Sequence, residues 1–568
     1  MKKRISIGLA VLLTLSTVIT GCSGGKSSSP AADTKVTAGE KKTETEAVTK
    51  IDATAHNDEA VMTDEGNLNN TYEAESLVYA ILSRPTLNPW GTNNGSEFLP
   101  EVYECLFAAE SDGTMIPIIA DGTKGEFGGY DHEAGSGDYT VYIYDYVTDH
   151  QGNHITANDV KWSFEYQFEH EATSGWGAFK NVEVIDDTTC VFHFENELNQ
   201  IGELKNVLAR CYIISEKAWN DSASQLAADM CGTGPYKVKE YVSGSKLVLE
   251  KNTDYWQKDE LMDQRQRANV KVLTYNFIDE AAQQVIALET GSVDVVASVA
   301  TSSLKDFQEG GDYNEKFKIY TWTQTGQKYV MANCSSDSIC NDLNLRLAMF
   351  YAIDPKGICS ALGEGTAVPA SALMSPVFSD YNPEWEEWDS YQNVTDYDLS
   401  KEYLEKSGYN GQEVRLICES VYSTAAEVIQ SMLLNAGITV TITTYDKQTL
   451  LATKGQSEAW DLFIDQTAGD SGVVMMSHLW NTSNTGENRT ENFIEDEEWQ
   501  KQLELILTEE GHTKENIDAW MQHAFDQAYG MGLYSSLNNI VYRSDIETMI
   551  RTDKNVLLPG GFTYAPAE

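Results

Sequence analysis

None of the chain's 29 Tyr, 12 Trp and 17 Phe occurs before Tyr72. That boundary limits the possible folds more than any other feature. Aromatic rings supply much of a core's buried area, so the first 71 residues cannot offset the entropy of ordering them. The remainder can, because 41% of the 568 residues are hydrophobic. The length lies well past the ~250–300 residues at which single cores stop growing, and about three units are expected. Acids outnumber bases by 87 to 40, for a net charge of −47. A surface of that sign repels phosphate backbones and anionic headgroups, which argues against nucleic acid as a partner.

The aromatic-free segment itself has two parts. Lys2-Lys3-Arg4 precede an apolar stretch, Ile5 to Ile19. The stretch is short for a membrane span of ~20 residues and carries the flanks of a secretory signal. Ile19-Thr20-Gly21-Cys22 resembles a bacterial lipobox, whose cysteine takes a diacylglycerol and becomes the new N-terminus. Residues 1–22 therefore read as a lipoprotein signal peptide with Cys22 lipidated. Residues 23–71, rich in Ser, Thr, Ala, Lys and Glu, read as a disordered tether reaching about 35–40 Å. The expected location is the extracytoplasmic face of a cell membrane, as a monomer held by its lipid.

Beyond Cys22, eight cysteines remain, with no CxxC and no repeated spacing. An exported chain could pair them, but several fall in apolar strand or helix patterns, where Cys acts as a small hydrophobe. Mostly free, buried thiols are expected, and no zinc or redox motif.

Alternating strands and helices follow Tyr72. Val414, Leu416 and Cys418 alternate as a strand. Thr424…Glu427 is a capping box, and Ala425, Val428, Ile429, Met432 and Leu433 mark a helix face. Gly437 stops that helix, and Ile438, Val440 and Ile442 resume as a strand. This βαβ pattern predicts parallel sheet. Helix, glycine and strand recur at 280–289, Gly291 and 293–299. Antiparallel hairpins are expected around 139–146, 188–194 and 236–250, with a turn at Ser243-Gly244. Thr156…Asp159 caps a helix with Val160, Phe164 and Phe168 on one face. Leu345, Ala348, Met349, Ala352 and Ile353 form another face, before a helix restarting at Asp354-Pro355. No internal repeat is visible.

Five segments together resemble the peptide/oligopeptide/nickel class (family 5) of solute-binding proteins that serve ABC importers. They are Thr86-Leu87-Asn88-Pro89 with Val102–Leu106, Ile155–Phe164, Gly232-Thr233-Gly234-Pro235-Tyr236, Leu345–Asp354, and Gln430–Gly437 with Trp460-Asp461-Leu462. Their order and spacing cover nearly all of 72–568. The resemblance implies an α/β, two-lobed periplasmic-binding-protein-like clamshell of the large, type II-like form, with an extra subdomain on lobe one. Residues 72–325 would form lobe one with that subdomain, 326–535 lobe two, and 536–568 the return to lobe one. It implies capture of oligopeptides in the cleft and delivery to ABC permease subunits, with no catalysis and no cofactor.

Peptide-binding members hold the ligand's α-ammonium on an acid shortly after the strand that Asp461 opens, and counting on reaches Asp470. A buried charge-assisted pair there selects a free amino terminus. Backbone near Thr467 and Gly469, and the Trp90–Gly95 loop with Asn93 and Asn94, would pair with the peptide as added strands. The sequence departs from the family around Asp470, where Thr467 and Ser471-Gly472-Val473 replace its usual aromatic surroundings. An oligosaccharide or other small solute therefore stays open as the ligand.

Other chemistries fare worse. Gly469-Asp470-Ser471-Gly472 mimics a serine-protease nucleophile motif, but His56 lies in the aromatic-free segment and cannot be held against it. Ser302–Lys305 fits SxxK without partner motifs. His150 and His154 read as solvated loop residues, and the acidic 126–138 stretch lacks the ligand order of an EF-hand. A secreted hydrolase has no surviving triad or metal set.

Overall fold

The computed structural model describes residues 72–565 apart from 84–85, 91–96, 111–113, 171–175, 177, 199–202, 364, 379, 468–471, 474–492, 509 and 553–555. The expected lipidation site and tether lie outside the described residues, as do Asn93, Asn94, Gly469 and Asp470. Among the described residues no helix is long and apolar enough to cross a membrane.

One large sheet organises the fold. Its main strands are β1 (Ala74–Ile81), β2 (Val270–Phe277), β3 (Val295–Val296), β4 (Phe317–Ala332), β5 (Val414–Glu419), β6 (Val440–Tyr445), β7 (Leu462–Gln466) and β8 (Gly530–Arg543). They run β6-β5-β7-β4-β8-β3-β1-β2, and the Lys246–Lys251 and Tyr236–Val242 hairpin extends the β2 edge. β1 is parallel to β2 and β3, and β5 is parallel to β6 and β7. Between the two parallel sets run β4 and β8, antiparallel to each other.

The predicted βαβ unit forms. β5 and β6 pair in register from Val414↔Val440 to Glu419↔Tyr445. A helix, Ser423–Asn435, buries Ala425, Ile429 and Leu433. Gly437 takes φ +89°, and Ile438 N–H donates to Leu433 O at 2.8 Å, which closes the helix end as expected. Its start is different. A 3-10 turn over Ser420–Tyr422 feeds directly into the helix, so Thr424 sits inside the first turn and no side-chain cap forms. Backbone continuity from one helical turn into the next removes the need for the capping box.

The Asp138–Tyr142, Thr189–Phe194 and Phe179–Asp186 strands form a separate antiparallel sheet with Tyr130–His132. The Ala157–His170 helix packs on it. Asp159 accepts the Thr156 N–H and hydroxyl at 2.9 and 3.0 Å, the predicted cap. Val160 and Phe164 are buried, but Phe168 lies 38% exposed, because the face drifts off the sheet by the fourth turn. The 293–299 strand shrinks to β3, two residues long. Asp354 caps Pro355–Leu362 with proline in the first turn, as predicted; Asp342, which the sequence reading did not single out, caps Leu343–Ala352.

Separate buried clusters fill the two halves. One draws on residues between Tyr329 and Tyr534, another on β1, β2 and residues 546–564, and a third surrounds the small antiparallel sheet. All eight cysteines after Cys22 are free thiols, with Cys190, Cys211, Cys231, Cys340 and Cys418 buried.

Candidate functional site

The long strands β4 and β8 change partners halfway along. Their outer halves pair from Phe317↔Arg543 to Thr323↔Leu537, and their inner halves from Gln327↔Ser535 to Met331↔Gly530. Between these stretches residues 324–326 face only Ser536. Such a bulge kinks the ladder and re-aims nearby side chains. β7 runs antiparallel to inner β4, so its carboxyl end, Gln466, lands beside Lys328 next to the bulge. β3 runs antiparallel to outer β8, and the chain beyond it heads the same way, with Val299 N–H donating to Asn539 O at 2.9 Å. The carboxyl ends of both parallel sets thus converge on one bulge. In open α/β sheets ligands bind outside such strand ends.

Thr467, the one predicted contact within the described residues, is fully buried there. Its N–H donates to Gln327 O at 2.8 Å, and its Oγ1 accepts the Gln327 N–H at 3.2 Å. Thr467 therefore splices β7 onto β4, with its own N–H committed to the protein. Asn93, Asn94, Gly469 and Asp470 cannot be located relative to it, being outside the described residues. Trp90, which opens the predicted ligand loop, is packed in an aromatic cluster, its ring 5.2 Å from Tyr166 and 4.9 Å from Trp219.

The site also holds residues that the sequence reading missed. Gln327 is fully buried; its Nε2 donates to Ala372 O at 2.8 Å, while its Oε1 has no partner among the described residues. Ser535, its cross-strand neighbour, has a buried hydroxyl without a partner among the described residues. Lys328 is only 6% exposed. Burial lowers its pKa to about 8. The sequence signal for this site is a polar run, Thr323 to Lys328, interrupting a long strand.

Beside the site, Asp380 Oδ2 accepts the Val473 N–H at 2.8 Å, and its other oxygen faces His512 Nε2 at 2.9 Å. His512 Nδ1 faces Ile506 O at 3.0 Å. With both ring nitrogens facing acceptors, the charged imidazolium is favoured, and the Asp380 hydrogen bond raises its pKa.

Asp461, from which Asp470 was counted, is a framework residue. It is 1% exposed and binds the Arg415 guanidinium through both oxygens, at 2.8 and 2.9 Å. His150 departs from the expected solvated loop residue. Its Nε2 faces Gly234 O at 2.9 Å and its Nδ1 accepts the Gly232 N–H at 3.4 Å. That pairing fixes a neutral tautomer, and burial lowers its pKa to about 4. The Gly232–Tyr236 motif is also held against the chain at Val102, the Gly234 N–H donating to Val102 O at 2.9 Å. A Cβ on Gly232 would lie 2.1 Å from Val102 O, so glycine is required by close approach.

The model of bacterial extracellular solute-binding proteins, family 5 (middle region), matches residues 128–489, more than half of the chain. The chain belongs to this family. Its fold is accordingly the two-lobed α/β clamshell, with the small antiparallel sheet as the extra subdomain. It resembles the oligopeptide-binding protein OppA of Bacillus subtilis, at 25% identity over 47% of this chain and 51% of that one. For AppA of the same organism the figures are 24%, 67% and 62%. The chain thus matches about half to three-fifths of these relatives' own length. Among solved structures, AppA of B. subtilis in complex with a nonapeptide covers 87% of this chain and all of its own (TM-score 0.64, 18% identity). The substrate-binding protein CtaP of Listeria monocytogenes covers the same shares with a TM-score of 0.70 at 17% identity. At those identities the structures carry the fold alone.

Proposed function

We propose that this family 5 chain is an extracytoplasmic receptor. It captures oligopeptides in the cleft between its lobes and hands them, chemically unchanged, to ABC permease subunits. The observation that carries the reading is the convergence of both parallel strand sets on the 324–326 bulge, where a bound solute touches both lobes at once. Closure then follows from ligand preferring the closed arrangement. The names of OppA and AppA, and the nonapeptide held by AppA, favour a peptide over other solutes.

In this reading the lobes divide at the bulge: 72–325 with 536–568, and 326–535. The break in β4–β8 register between Thr323 and Gln327 supports that division. Asp470 holds the ligand's α-ammonium, with backbone at Gly469, Thr467, Asn93 and Asn94 pairing along the peptide. Since the Thr467 N–H is already bonded to Gln327, its carbonyl is the group left for the ligand. Cys22 carries the lipid, and 23–71 tether a monomer to the membrane face.

The test is a thermal-unfolding scan of the full chain in detergent against free oligopeptides, their N-acetyl forms and oligosaccharides. A ligand at 100 times its Kd adds about 2.7 kcal/mol of stability. A rise with free peptides that disappears on acetylation, or in Asp470→Ala, is the expected result. A rise with oligosaccharides alone overturns the peptide reading.

A further inference from the structure

Lys328 stands out in a chain of net charge −47. It is 6% exposed, yet no carboxylate among the described residues lies within ion-pair distance of it. Lys454, by contrast, is paired with Asp465 at 2.9 Å. The Lys328 ammonium donates to Gly326 O at 2.9 Å and to Ser536 Oγ at 2.9 Å, and sits 5.7 Å from the centre of the Tyr534 ring. A lysine carries three N–H donors. Two are used, and the third has no acceptor among the described residues. Stripping an ammonium of water without an anion is costly, and only an arriving negative group repays that cost in full.

Its position gives the cost a purpose. Lys328 lies one residue past the Gln327↔Ser535 pair that restarts the ladder after the bulge, and directly beside Gln466, the carboxyl end of β7. Both of its acceptors belong to the bulge itself, Gly326 on β4 and Ser536 on β8. A group that engages the third N–H therefore touches the point where the two lobes' strands change partners.

We propose that Lys328 is an anion anchor at the floor of the cleft, pairing with a carboxylate of the captured solute. This rests on the peptide-receptor reading and specifies the ligand further: it presents a carboxylate to the bulge, either its free carboxyl terminus or an acidic side chain. Because its two existing bonds tie β4 to β8, the same contact couples occupancy to the hinge.

The experiment is native mass spectrometry of the full chain in detergent, offered a library of free oligopeptides and the same library amidated at the carboxyl terminus. The expected result is retention of the free library about ten- to hundredfold over the amidated one, the range of a buried charge-assisted bond. Lys328→Met abolishes that preference and Lys328→Arg keeps it. If the amidated library is enriched in Asp- or Glu-containing sequences, and Lys328→Met removes the enrichment, the anchored carboxylate is a side chain. Equal retention of both libraries by the unmodified chain, without enrichment of acidic sequences, overturns the anchor and leaves peptide capture standing. Retention of neither overturns peptide capture, and the anchor with it. The comparison of libraries on the unmodified chain needs no variant to fold.

Discussion

Glu101 is 1% exposed and accepts the Gly560 N–H at 2.8 Å. Burial raises its pKa from 4.5 to about 8, the Gly560 bond opposing only in part. The folded chain therefore keeps a proton that the unfolded chain releases above pH 4.5, so stability falls as pH rises from 4.5 to 8. The whole effect is about 4–5 kcal/mol. His150 acts in the opposite sense. Its folded pKa is near 4 against 6.5, so its contribution is complete above pH 6.5 and is lost as pH falls to 4, on the order of 3 kcal/mol. Between pH 4.5 and 6.5 the two slopes cancel, and from 6.5 to 8 only that of Glu101 remains. Denaturant midpoints across this range should stay level and then drop. Glu101→Gln, which keeps the acceptor oxygen, should remove most of the drop, leaving the smaller fall that His512 gives in the same sense because its bond to Asp380 raises its pKa; a variant that follows the parent chain contradicts the assignment. Neither group was legible in the sequence. Glu101 lies in a short Pro-containing helix and His150 in a polar turn, and only tertiary packing buries them.

The elements were more legible than their neighbours in space. The β5–helix–β6 unit could be read because alternation, a 3.6-residue stripe and Gly437 all act within about 30 residues. The capping box failed because the Ser420–Tyr422 turn, which carries no such periodic signal, starts the helix first. The Gly232–Tyr236 motif was visible as a motif, but its reason was not, since Val102 is some 130 residues distant. That contact makes a sharp prediction. With Val102 O 2.1 Å from the position of an added Cβ, Gly232→Ala forces backbone apart and should cost at least about 2 kcal/mol. Equilibrium unfolding measures this, and a loss below about 0.5 kcal/mol contradicts it. At the other end of the fold, Asp461 anchors Arg415 and Ser338 from a buried position. Asp461→Asn leaves the Arg415 guanidinium, whose side chain is 39% exposed, to be solvated by water, and should lower stability by about 1.5–2 kcal/mol in equilibrium unfolding; an unchanged midpoint contradicts the anchoring role.

At the scale of the molecule, the two parallel strand sets are far apart in sequence, and nothing local announces that β4 and β8 join them. The resemblance to family 5 supplied the clamshell, while the bulge, and a Gln327 Oε1 without a partner and a Lys328 without a carboxylate among the described residues, emerge only when both strands are placed side by side. In the proposed reading, ligand sits where the carboxyl ends of both sets converge. Hydrogen exchange of the full chain, with and without a pool of free oligopeptides, tests it most directly. Peptide should slow exchange in segments 320–332, 462–467 and 530–540 and leave it unchanged in the small-sheet strands of 130–194. Protection confined to the subdomain, with the three segments unchanged, would contradict it.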